Sequence, residues 1–162
     1  MTFTKRLLGL ALAASFALYI GHAEAATPKA PSPQAMAFAQ KVGPPQLADI
    51  LVQTLSQQEV VKDAMEDHGV VFTQGVLKEE ITKGVTKYGP AWNHNLAMSY
   101  QGLLTDAELG ELAFGQPSAT TQAKLQIALP KAGAIMKKHS DGMLNQIATE
   151  VLANTKARLG IQ

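Results

Sequence analysis

Apolar positions recur at three- and four-residue steps over most of this chain, the spacing of one face of an α-helix. Leu47, Ile50, Leu51, Thr54 and Leu55 form one stripe. Val60, Val61, Ala64, Met65 and Phe72 form a second, Leu77, Ile81, Val85 and Tyr88 a third, and Trp92, Leu96, Tyr100 and Leu103 a fourth. Leu109, Leu112 and Ala113 mark a short fifth helix. The longest stripe runs from Leu125 through Ala128, Ala132, Met136, Met143 and Ile147 to Val151, in a helix spanning about 121–157. No segment sustains the alternation that a half-buried strand needs. The pattern predicts an all-α fold, a single compact bundle of about five to six helices over 34–162.

Turn and cap residues divide the stripes. Three prolines between Ala26 and Pro33 predict a Pro/Ala-rich linker over 26–33. Val42-Gly43-Pro44 is expected to end a short helix from Gln34, with Pro45 opening the next. Ser56 and Glu59 have the spacing of a capping box. Gly69 and Gly75 predict an end or a bend between them, and Gly89-Pro90 predicts a break. Thr105-Asp106-Ala107-Glu108 combines a cap, first-turn acids and a reciprocal glutamate. Gln116-Pro117-Ser118 predicts a further break. Pro130 should kink or interrupt the last helix, with Gly142 a second weak point and Gly160 its stop.

The N-terminus has a different character. Lys5 and Arg6 precede an apolar run, Leu7 to Ile20, which leads to Ala23-Glu24-Ala25. A charged start, an apolar middle and a small-residue exit make a secretory signal over 1–25, cleaved after Ala25. The run of about 14 residues is short of the ~20 that a spanning helix needs. The expected location is periplasmic, with no stable membrane span after cleavage.

Charge and cysteine usage narrow the picture further. Removing Lys5, Arg6 and Glu24 from 14 basic and 13 acidic residues leaves 12 of each. A neutral chain lacks the basic field of a nucleic-acid binder. With no cysteine, the domain has neither disulfides nor a thiol nucleophile, although an oxidising compartment would permit disulfides.

Candidate chemistry is sparse. His68 follows Asp63, Glu66 and Asp67, and His94 and His139 also fall on helical segments. With nearby carboxylates they are the only residues that suggest a hydrolase or metal-dependent enzyme. No His-x-x-x-His pair, nucleophile elbow or phosphate loop is present. The ordinary role for each is a solvated or hydrogen-bonded structural histidine, and neither a cofactor nor a metal is expected. The favoured expectation is a non-enzymatic module that binds an envelope protein or a small apolar ligand. Its groove is expected between the kinked last helix and the Trp92–Leu104 segment, with Trp92, Tyr100, Phe114, Met136 and His139 beside it.

Tyr100, Leu104-Thr105-Asp106-Ala107-Glu108-Leu109, the Phe114–Ser118 break, Lys124-Leu125 and Leu129-Pro130 follow one another in a recognisable order. Residues 98–157 thereby resemble the bacterial periplasmic family catalogued as domain of unknown function 2059. Gly115 stands where that family has an aromatic residue. The resemblance implies a periplasmic helical domain and carries no catalytic residues with it.

Overall fold

Ser32 begins the described fold. Its backbone is extended, and its hydroxyl accepts from the Ala35 N–H at 3.2 Å, which caps a helix with proline in its first turn. The Ser32 N–H donates to Gln101 Oε1 at 2.6 Å and its hydroxyl to Asp106 Oδ1 at 2.5 Å. Pro31–Pro33, expected in the linker, therefore belong to the packed domain. The computed structural model describes residues 30–161. The signal segment, its cleavage point and linker residues 26–29 lie outside them.

Five helices and no strand make up the described residues: α1 (Pro33–Leu55), α2 (Glu59–His68), α3 (Val70–Gln101), α4 (Asp106–Phe114) and α5 (Ala119–Leu159). The all-helical bundle with a long last helix is as expected; several boundaries are not. α1 continues through Pro44 and Pro45, and α3 continues through Gly89-Pro90. An interior proline removes a hydrogen bond and costs about 3 kcal/mol. Burial on both sides offsets that cost. Ala35, Ala39, Gly43, Leu47, Leu51 and Leu55 are all buried at strict four-residue steps, in phase across the proline pair. At Gly43 the two helices touch. A Cβ there would lie 2.1 Å from Asn93 Oδ1 and 3.3 Å from Trp92 Cδ1, so the crossing requires glycine.

α2 ends where Gly69 takes φ +86°, a conformation that favours glycine, while Gly75 sits inside α3. The expected capping box at Ser56 does not form. Gln58 occupies the N-cap, and the Ser56 N–H bonds back to Val52 O to finish α1. Phe72 was expected on the face of α2, but it falls in the first turn of α3 and is exposed.

The start of α4 follows the expected chemistry. Thr105 Oγ1 accepts from the Glu108 N–H, and the Glu108 carboxylate accepts from the Thr105 N–H at 2.9 Å. Glu108 also pairs with Lys124 on α5, and that bond with the capping bond holds its carboxyl down to about 2. Glu111 accepts from the Ser118 N–H and the Thr121 hydroxyl, closing the α4–α5 corner. Thr105→Ala is expected to lower stability by about 1 kcal/mol. Urea unfolding followed by circular dichroism measures this; an unchanged midpoint would mean that the cap is dispensable.

α5 remains helical through Pro130 and Gly142. Its buried residues, Thr121, Ala128, Ala132, Met136, Ser140, Ile147, Val151, Thr155 and Leu159, again hold phase across the proline. Gly160 in the left-handed region ends it. The Gly160 N–H bonds to Ala157 O, the Ile161 N–H bonds to Lys156 O, and Ile161 packs on Ala64, Val76 and Leu159.

α3 is the central element, with α1 along one side and α5 along another. Glu80 meets Arg158, Lys87 meets Glu150 and Asn95 meets Ser140, so α3 and α5 run antiparallel. α4 packs across α1, where the Lys41 ammonium donates to Leu112 O at 2.9 Å. No described helix is long and apolar enough to cross a membrane.

Candidate functional site

α1 and α5 both pack on α3 but meet each other only slightly. The space left between them is a groove of about 370 Å³, within the range of small-molecule sites. Its floor is Trp92, Leu96 and Tyr100, one turn apart on α3. Ile50 and Gln46 form the α1 wall. Leu129, Ala132, Met136 and Leu144 form the α5 wall, with Gly133, Lys137 and Asp141 at its rim.

The floor is held rigidly from beneath. Tyr100 packs edge-on against Phe38, with ring centroids 5.1 Å apart. Burial raises the Tyr100 hydroxyl above its ordinary pKa. Ser99 donates to Asn95 O at 2.7 Å, the Asn95 amide donates to Ser140 Oγ at 3.1 Å, and Ser140 donates to Met136 Sδ at 3.5 Å. These bonds fix the α5 wall against α3. Trp92 is 3% exposed, and its Nε1–H has no acceptor among the described residues. Asn93 Oδ1, pressed against Gly43, likewise has no donor. A buried polar group without a partner costs about 1–3 kcal/mol.

Three of the five expected groove residues, Trp92, Tyr100 and Met136, meet here. Phe114 does not; it is 78% exposed at the end of α4. His139 does not either. The buried stripe of α5 passes through Met136 and Ser140, which turns the side chain of His139 outward. Its side chain forms no hydrogen bond among the described residues, and its backbone carbonyl accepts from the Asn95 amide at 3.3 Å. His68 and His94 are exposed as well. No described group of three histidines or carboxylates could share a metal ion, so the residues of the enzymatic alternative are not assembled into such a centre. Glu79 and Glu80 pair with Arg158, and Glu108 and Glu111 serve caps and corners.

Leu96 and Ser140 were not singled out for the groove from sequence. The four-residue steps Trp92–Leu96–Tyr100 and Met136–Ser140 are the signal that would have found them. Three other depressions of comparable volume occur on the described surface. None of them has a buried aromatic floor. A separate apolar surface, Val70, Val71 and Phe72, stands exposed at the start of α3, with Val71 at 87%.

No family model, no curated protein and no solved structure matches this chain.

Proposed function

We propose that this protein is an exported, non-enzymatic binding module of the periplasm, and that the α1–α3–α5 groove takes a small apolar ligand. The observation that carries the reading is the groove of about 370 Å³ beside Trp92, Leu96 and Tyr100 of α3, where α1 and α5 meet only slightly. Export rests on the signal pattern of residues 1–25 and on the resemblance of residues 98–157 to domain of unknown function 2059.

Trp92 is the only tryptophan in the chain, so the groove has its own fluorophore. Protein purified from the envelope, its mass checked for a start at Ala26, is titrated with the apolar dye N-phenyl-1-naphthylamine. Saturable quenching of Trp92 by energy transfer is the expected result. Gly133→Leu fills the groove from a rim position where an added Cβ meets nothing within 4 Å. It is expected to weaken dye binding at least about tenfold, or about 1.4 kcal/mol, without lowering stability. No saturable quenching, or full binding by Gly133→Leu, would overturn the reading. A mass retaining residues 1–25 would overturn the processing.

An interaction module for an envelope protein is the second reading, and Val70–Phe72 is the surface that favours it. The same variant separates the two. A protein partner held at Val70–Phe72 would be crosslinked equally by wild type and Gly133→Leu.

A further inference from the structure

We infer that this protein associates head to tail with a second copy of itself, the acidic α2–α3 corner of one copy docking on the basic face of α5 around Ile127 of the next. The inference rests on the second reading, whose Val70–Phe72 surface it supplies with a partner; the groove reading is independent of it.

At the corner, Gly69 turns the chain at φ +86°, and the three residues that follow, Val70, Val71 and Phe72, are all exposed. Three consecutive exposed apolar residues are unfavourable in water unless another surface covers them. Acids lead up to them. Glu59, Asp63, Glu66 and Asp67 share one face of α2, and all four are exposed. Lys62 is the only lysine or arginine on α2, and no residue of that helix forms an ion pair among the described residues. Asp67 is three residues from Val70, so their Cα atoms lie within about 11 Å, close to the screening length at 0.1 M salt.

α5 carries the opposite charge. From Ala119 to Ser140 it has four lysines and no acid. Lys124, Ile127, Lys131, Ala134 and Lys138 follow at three- and four-residue steps on one exposed face. Lys124 pairs with Glu108, while Lys131 and Lys138 have no ion pair among the described residues. Ile127 is 69% exposed, and Leu103, Leu104 and Ala128 line a depression of about 440 Å³ beside it. The order of groups matches. Along α2 the acids come first and the apolar corner last; backwards along α5, Lys138 and Lys131 come before Ile127. Laid antiparallel, the carboxylates face the two lysines, and Val71 and Phe72 reach Ile127 and the depression. Glu59 to Glu66 and Lys131 to Lys138 each cover seven residues, about 10.5 Å of helix.

Position makes the occupant a second copy. Ala64 and Val76, beside the corner, pack on Leu159, about 48 Å of helix from Ile127. One copy cannot bring its own two surfaces together. A two-fold contact of corner on corner would set acids against acids, and an anionic lipid surface would repel them too. The contact is therefore heterologous and leaves one free surface of each kind.

Sedimentation velocity of the processed protein, from micromolar to millimolar, tests this. Wild type should gain mass with concentration at about 0.1 M NaCl and lose most of that gain at about 1 M, where the screening length falls to about 3 Å. Asp67→Lys with Val71→Ser breaks the corner, and Ile127→Ser with Lys131→Glu breaks the α5 face. All four positions are exposed, and circular dichroism checks each fold. Each variant alone should associate at least about tenfold more weakly. Mixed in equal amounts, the two should form a heterodimer of wild-type affinity and nothing larger, because each supplies the surface that the other lacks. A wild type that stays monomeric up to millimolar overturns the inference. So does association that salt leaves unchanged, that neither variant weakens, or that mixing does not restore; the last result would mark a two-fold contact. A monomer that still crosslinks to another envelope protein at Val70–Phe72 removes the self-association and leaves the second reading standing. Dye quenching at Trp92 tests the groove reading apart from both.

Discussion

Truncating Ile147 to alanine is expected to lower the unfolding free energy by about 2–5 kcal/mol, a large share of the roughly 5–15 kcal/mol of an ordinary domain. Ile147 is fully buried on α5, and its Cγ2 faces the backbone of α3 at Gly84. A Cβ at Gly84 would lie 3.3 Å from Ile147 Cγ2 and 2.9 Å from Val151 Cγ2. The absence of a side chain at residue 84 is thus what allows these two residues in. Gly84→Ala alone sets a gain of about 1 kcal/mol in helix propensity against about 1–3 kcal/mol of overpacking, and is expected to be destabilising. In the double variant the contact with Ile147 is relieved, while the closer one with Val151 remains. The two losses should then sum to less than their separate values by about 0.5–1 kcal/mol or more. Urea unfolding of all four proteins measures the coupling, and strict additivity would mean that α3 and α5 do not rely on this contact.

The helices themselves were legible in the sequence, because their buried stripes carry a helical period that survives any local irregularity. The boundaries were legible only where a side chain made its own capping bond, as at Thr105, or where glycine adopts positive φ, as at Gly69 and Gly160. Expectations failed at Pro44, Pro45 and Pro90 for one reason: a local breaker was weighed against local propensity alone. The stripe Ala35–Ala39–Gly43–Leu47–Leu51 keeps phase straight across Pro44-Pro45, and Leu77–Ile81–Gly84–Tyr88–Trp92–Leu96 does so across Pro90. A phase break would have marked a true end. Continuity of phase shows that tertiary burial holds both sides of the proline on one face.

The groove was half legible for a related reason. Trp92, Tyr100 and Met136 share spacing with core positions, so sequence could place them inward. What it could not supply was the sideways separation of α1 from α5, which depends on how each helix sits on α3. Phe114 and His139 show the opposite error. Their residue types suggest burial or chemistry, yet each falls just off its helix's buried stripe. Rotation about the helix axis decides exposure; an isolated aromatic or imidazole does not.

Arg158→Met is expected to cost about 1–3 kcal/mol at neutral pH, with that cost shrinking in acid. Glu80 is 2% exposed, and its carboxylate accepts from Lys83 Nζ at 2.6 Å and from Arg158 Nη1 at 2.9 Å; Arg158 also reaches Glu79 at 2.7 Å. The arginine thereby ties the last turn of α5 to the first half of α3. Methionine keeps an apolar stem and removes the charge, so the variant tests the ion pair rather than the packing of the stem. Lys83 remains, and both cations are partly exposed, which keeps the loss below that of an isolated buried pair. The hydrogen bond from Lys83 does most to hold the Glu80 carboxyl below its ordinary value. Burial opposes it, and the hydrogen bond from Arg158 adds to it. A carboxyl with a lowered folded pKa contributes stability that is present above its unfolded pKa and is lost as pH falls through the folded one. Removing Arg158 raises the folded pKa of Glu80 and so flattens this dependence. Glu108, Glu111 and Glu150 are also held low, so both proteins should weaken in acid. The difference between wild type and variant isolates the groups that Arg158 touches. It should be largest near pH 7 and narrow steadily below about pH 4.5, once a protonated Glu80 no longer needs its cation. Urea midpoints at a series of pH values measure it, and a difference that stays constant down to pH 3 would show that Arg158 stabilises the α3–α5 contact by something other than its charge.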